Sequence, residues 1–201
     1  MKSSILRAGV VALACAVGLS ACGGGDGDLN LYGSLYNVTK DGLVLQNNGG
    51  HDLAVTADNS TSYTTFQFAD RISTDDEFNI TVKSIPDNNS ECHPVNGKAR
   101  ANYYTIQQIQ IVCTIKQVKL TVAVNNLTTS GLVLVNGADR KDVAAGATSV
   151  EMAPVYVDGA YGVTILQQPT GQTCTVSGGD NGKGTGKVPL TDVTNVAVNC
   201  A

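Results

Sequence analysis

Few side chains in this sequence could do chemistry. His51 and His93 are the only groups that titrate near neutrality without perturbation. Either could act as a base, but a nucleophile triad needs a Ser beside an oriented His, and no Gly-x-Ser-x-Gly elbow occurs. His51 stands between Asn47-Asn48-Gly49-Gly50 and Asp52, the setting of a hairpin shoulder, and His93 between Cys92 and Pro94. Asp75-Asp76-Glu77 offers carboxylates suited to a hard cation such as Ca²⁺, yet it lacks the alternating acids and glycine of a calcium loop. It reads as a solvated acidic turn. Between Gly178 and Lys187 two Gly-Lys pairs hint at phosphate binding. A P-loop, however, needs Gly, four residues, then Gly-Lys-Ser/Thr, and here Asn181 takes the first position and Val188 the last. No Cys-x-x-Cys is present and only His93 lies near a Cys, which argues against zinc. The sequence therefore predicts no catalytic residue, no metal ligand and no cofactor.

Composition narrows the class further. The 201 residues hold 13 Lys and Arg against 17 Asp and Glu, so no basic face for nucleic acid is expected. Only 15% of residues are charged, and the abundance of Gly, Thr, Val and Asn favours strands over helical bundles. At the start, Lys2 and Arg7 precede an apolar run from Ala8 to Val17, the form of a secretory signal too short to span a membrane. The segment closes on Leu19-Ser20-Ala21-Cys22, which resembles the lipobox of bacterial lipoproteins. That resemblance implies that residues 1–21 are a cleaved lipoprotein signal peptide and that Cys22 carries the acyl chains, palmitate among them, that hold the protein to a membrane. Each buried CH₂ contributes about 0.8 kcal/mol, so several chains anchor stably. Residues 22–28, with Gly23-Gly24-Gly25-Asp26-Gly27-Asp28 after the Cys, form the anchor and a flexible tether. Gly23 stands where lipoproteins kept at the inner membrane carry Asp, so the resemblance implies the outer membrane, on its periplasmic or surface face.

The rest of the chain repeats itself. Thr39-Lys40-Asp41-Gly42-Leu43-Val44-Leu45 returns 89 residues later as Thr128-Thr129-Ser130-Gly131-Leu132-Val133-Leu134. Phe78-Asn79-Ile80-Thr81-Val82, with Pro86 and Cys92 beyond it, matches Tyr161-Gly162-Val163-Thr164-Ile165, with Pro169 and Cys174. Ile109-Gln110-Ile111-Val112-Cys113 matches Val196-Ala197-Val198-Asn199-Cys200. Where the first copy has Asp75-Asp76-Glu77 the second has Val157-Asp158-Gly159-Ala160, so the acidic cluster is not expected to be part of the repeated framework. Two modules follow, residues 29–116 and 117–201, with almost no linker. Acidity is concentrated early: residues 22–116 hold eleven acids and six bases, residues 117–201 six and five.

Within each module, period-two alternation predicts strands whose inward residues are Leu43 and Leu45, Phe78, Ile80 and Val82, and Ile109, Ile111 and Cys113. Module two repeats this with Leu132 and Leu134, Tyr161, Val163 and Ile165, and Val196, Val198 and Cys200. Turn residues punctuate these runs, and six to seven short strands per module suggest an antiparallel β-sandwich of immunoglobulin-like type. Four Cys allow three pairings. Because each module holds two at matching places, Cys92 with Cys113 and Cys174 with Cys200 is the economical choice, oxidised outside the cytoplasm. Each bridge ties the last strand of a module to an earlier one.

Residues 42–53, an aromatic-x-Val/Ile-Thr-Val/Ile strand, Gln172-Thr173-Cys174-Thr175-Val176 and the closing Val193-Thr194-Asn195-Val196-Ala197-Val198-Asn199-Cys200 together resemble the small extracellular repeat of bacterial lipoproteins and secreted multidomain proteins. Module one departs from it at Ser90-Glu91-Cys92-His93-Pro94. The resemblance implies tandem immunoglobulin-like sandwiches and a non-enzymatic role. The expected function is a lipid-anchored interaction or structural protein of the cell envelope, surface-exposed and antigenic. The alternatives are a carbohydrate-binding or adhesin-like module using Tyr32, Tyr36, Tyr63, Tyr103 and Tyr104, and an enzyme or enzyme inhibitor.

Overall fold

The computed structural model describes residues 28–56 and 64–201. The signal segment, Cys22, the tether up to residue 27 and Tyr63 lie outside them.

Alternating burial organises the first module into eight strands. These are β1 (Leu29–Tyr36), β2 (Leu43–Asn47), β3 (Gly50–Val55), β4 (Thr65–Ile72), β5 (Glu77–Ser84), β6 (Asn89–Val95), β7 (Lys98–Arg100) and, after a 3₁₀ turn at Thr105–Gln108, β8 (Gln110–Ile115). One sheet runs β4-β1-β8-β6 and the other β3-β2-β5-β7. The second module follows as β9 (Gln117–Val118), β10 (Leu120–Asn125), β11 (Leu132–Asn136), β12 (Asp139–Val143), β13 (Ser149–Glu151), β14 (Val155–Tyr156), β15 (Ala160–Gln167), β16 (Cys174–Gly178), β17 (Thr185–Lys187) and β18 (Val193–Cys200). Its sheets, β13-β10-β18-β16 and β12-β11-β15-β17, repeat the first module's order strand for strand, and β9 and β14 add a small ribbon.

Both modules are all-β sandwiches of the immunoglobulin-like type, with one refinement. The first and last long strands of each module run parallel, β1 beside β8 and β10 beside β18, in sheets otherwise antiparallel. Parallel neighbours need a long connection, and here the whole module supplies it. Alternation cannot reveal this, because a strand shows the same period in either direction. The count exceeds the six to seven strands expected through β7 and β17, of three residues each, and β9 and β14, of two, all too short to display a period.

Each sandwich closes over its own apolar core. Leu31, Leu43, Leu45, Phe78, Ile80, Ile109 and Ile111 fill the first, and Leu120, Val122, Leu132, Leu134, Val163, Val196 and Val198 the second. Val82 and Ile165, placed inward by the pattern, are partly buried and pack against these clusters. Cys92 pairs across the sheet with Cys113, and Cys174 with Cys200; each pair is disulfide-bonded. Burying a full-length Val, Leu or Ile side chain contributes about 1.5–3 kcal/mol, so these two clusters dominate the stability of the modules.

Candidate functional site

Two turns of the first module frame a groove of about 420 Å³, lined by Asn47, Asn48 and His51 from the β2–β3 hairpin, by Asp70 and Arg71 of β4, by Asp76 of the turn beyond it and by Glu77 at the start of β5. The hairpin holds its shape because Asn48 and His51 adopt positive φ (54° and 51°) and because Asn47 accepts a hydrogen bond from the backbone N–H of Asn79 at 3.1 Å. In the second module Asn136 accepts from Gly162 N–H at 2.8 Å, the same brace. His51 lies on the hairpin shoulder, its Nδ1 2.7 Å from an Asp70 carboxylate oxygen. The two side chains form a surface contact between the hairpin and β4. It is largely exposed, 61% and 71% by side chain, and so well screened by water.

The acidic turn departs from the sequence reading, which sets the cluster outside the repeated framework. Asp75 and Asp158 occupy equivalent places: φ is 68° in one and 65° in the other, and the backbone N–H groups donate to Ala101 and Val188 carbonyls at 2.8 and 2.9 Å. Asp is among the few residues that tolerate this left-handed conformation, which is why it recurs where the neighbouring acids do not. Glu77 pairs with Arg100 at 3.1 Å, and Arg100 also donates to the Asp75 carbonyl. Among the described residues no three His, Cys, Asp or Glu side chains are grouped to hold a metal ion.

In the Gly178–Lys187 loop the amides that would cradle a phosphate already have partners. Asp180 N–H donates to the Thr185 carbonyl, Gly184 N–H to the Gly178 carbonyl and Lys183 N–H to the Asn181 side chain. Lys187 N–H donates to the Asp180 carboxylate at 2.7 Å, which puts a negative charge where an anion would sit. The loop is a self-satisfied turn. His93 sits exposed on β6, opposite Val112 of β8 and one residue from the disulfide.

The tyrosines separate into different settings. Tyr32 packs against the core, whereas Tyr36 is exposed beside Val112 in the middle of β8. Tyr103 and Tyr104 precede the 3₁₀ turn, 66% and 75% exposed, and their rings meet edge to face at 5.6 Å.

The residues that sequence reasoning missed lie where the modules meet. Lys116 is the single residue between β8 and β9. Its N–H donates to the Asn88 carbonyl at 2.8 Å, its carbonyl accepts from Val157 N–H at 2.9 Å and its ammonium donates to the Asp87 carbonyl at 2.7 Å. Asp158 of the second module accepts from Asn88 at 3.1 Å and from its own module's Lys187 at 2.9 Å, and lies 3.7 Å from Lys40. Lys40 in turn pairs with Asp87 at 2.8 Å. These partners are up to 118 positions apart in the chain, and only the repeat's marking of Asp158 as the partner of the acidic turn pointed there.

No protein-family model matches the chain. No curated protein matches it either. Among solved structures it is similar to the major pilin protein T-13 of Streptococcus pyogenes, at 12% identity and a TM-score of 0.30 over 86% of this chain and 96% of that one. It is also similar to a single B repeat unit of the collagen-binding surface protein CNA of Staphylococcus aureus, at 15% identity and 0.24 over 85% and 96%. Two B repeat units of that protein match at 16% and 0.24, over 85% of this chain and 48% of theirs. At such identities and scores none of the three carries a ligand or a role to this chain.

Proposed function

We propose that the chain is a non-catalytic, lipid-anchored protein of the bacterial cell envelope whose two sandwich modules serve as an interaction or structural unit. The observation that carries this reading is the build of the molecule: two disulfide-closed sandwiches joined through Lys116 alone, with Asp158, Asn88 and Lys40 bonded or paired across the joint. A unit of that kind transmits position more readily than it performs a reaction. Acylation at Cys22 supplies the attachment and the Gly-rich stretch after it a reach of roughly 20 Å at full extension. In this reading the protein sits at the outer membrane, is exposed and antigenic, and works through contact with another protein.

Labelled palmitate should enter the wild-type protein in cells and be absent from Cys22→Ala. Protease added to intact cells should remove the modules, and crosslinking in the same cells should capture a partner. Failure of labelling together with full protease protection would overturn both the anchoring and the surface placement.

A second reading is favoured by one observation, the exposed Tyr103-Tyr104 pair. Edge-to-face rings standing in water offer an apolar face to a sugar ring with hydroxyls beside it. In this reading the module binds glycan, and a glycan array probed with wild type and with the Tyr103→Ala, Tyr104→Ala double variant decides it. Binding lost in the variant supports a carbohydrate role, and silence of the folded wild type removes it.

A further inference from the structure

We propose that Asp158 is a latch that holds the two modules in one relative orientation. Its carboxylate is the point on which both modules converge. From the second module Lys187 reaches it at 2.9 Å, and from the first Asn88 at 3.1 Å and Lys40 at 3.7 Å. Asp87 and Lys116 complete the charged groups around it, the former pairing with Lys40 and accepting from the latter through its backbone carbonyl. Charge-assisted contacts of this kind are stronger than neutral ones, and the Asp158 side chain is only 27% exposed.

Asn88 shows that the joint is set for geometry. It is fully buried, its amide nitrogen spans Thr39 and Asp158, and its side-chain oxygen has no partner. An orphaned buried acceptor carries a desolvation cost, which the bonds its nitrogen donates to Thr39 and Asp158 offset by fixing where the side chain stands.

The repeat supplies an internal comparison. Asp75 has the same backbone conformation as Asp158 yet is exposed, away from the joint. At the far end of the second module, Thr129 and Gly171 stand where the first has Lys40 and Asn88, so the latch is present once and points one way. It operates whether or not Cys22 carries lipid.

Hydrogen exchange read by mass spectrometry on the full chain tests it. In Asp158→Asn the amides of residues 117–118 and 155–157, which join β9 to β14 and Val157 to Lys116, should exchange roughly three- to tenfold faster. The amides of β11 and β15 should be unchanged, and Asp75→Asn should behave as wild type. Wild-type protection at the joint in Asp158→Asn, or equal loosening in Asp75→Asn, overturns the latch. Should Asp158→Asn unfold the second module, Lys40→Met decides: faster exchange confined to the joint supports the proposal and unchanged exchange overturns it.

Discussion

Asp158 titrates as its surroundings require. The hydrogen bond from Lys187 chiefly holds its carboxyl below the ordinary Asp value, against some desolvation, and Asp52 is lowered in the same way by Lys83 and Gln46. A carboxyl depressed in the folded state contributes stability above its unfolded value, near 3.8, and loses it as pH falls through the folded value. Denaturant midpoints should therefore be flat from pH 7 down to about 4 and decline below that, with Asp158→Asn showing a shallower decline. Tyr161 has the opposite sign. Burial, with the nearby Asp180 charge, raises its phenol above 10, so stability should fall as pH rises past 10, and Tyr161→Phe should remove part of that fall. Among residues of this kind the sequence singles out His51 and the acidic turn with its counterpart Asp158, but not the charges they meet. Asp70 is 19 positions from His51 and Lys187 is 29 from Asp158, distances at which spacing carries no information about contact.

Strands and bridges form the next level. Cys113 lies on the last strand of its module, directly opposite Cys92 on β6, so the bridge closes a 21-residue separation across the sheet. Cys113→Ser should cost the first module about 3 kcal/mol, read as a fall in its thermal midpoint, while titration of the two native modules should find no free thiol. Gly178 makes a sharper test of backbone geometry. A Cβ there would stand 1.9 Å from the Asn195 carbonyl oxygen at φ +82°, whereas at Gly182, φ +74°, nothing lies within 4 Å. Gly182→Ala should lower stability by about 1 kcal/mol from the left-handed backbone alone, and Gly178→Ala by clearly more, in equilibrium denaturation. At this level the sequence was highly legible. Leu43, Leu45, Phe78 and Ile80 are buried where alternation places them, because a half-buried strand must present every second side chain to its core. Direction was not legible, which is why the β1–β8 and β10–β18 pairs run against an all-antiparallel expectation.

For the whole molecule the question is whether two sandwiches behave as one body. A joint one residue long, fastened by Lys116, Asn88 and Asp158, couples them through bonded groups. Calorimetry at pH 7 should show a single merged transition that separates into two in Asp158→Asn, since the modules have distinct cores and lose only their coupling. Two well-resolved transitions in the wild type would show that the joint transmits little. The uneven charge of the halves acts at this level as well. The groove between the β2–β3 hairpin and the acidic turn lies in the more acidic half, but its surplus of carboxylates is partly offset there: Asp70 meets His51, Glu77 pairs with Arg100 and Arg71 stands on the same wall.

Local and repeated features were settled by the amino-acid sequence alone: strand class, the inward set of each strand, the doubling of the module and the pairing that four matched cysteines make economical. All of these depend on period and order, which a linear chain displays directly. Tertiary structure decided the parallel pairing of first and last strands, the blocked amides of the Gly178–Lys187 loop, the dispersal of the tyrosines and the meeting of Lys40, Asn88 and Asp158. The physical reason is the same for each. Hydrogen bonds and charge contacts act over a few ångströms, and residues far apart in the chain reach that range only after two hydrophobic cores have closed and fixed where every turn must stand.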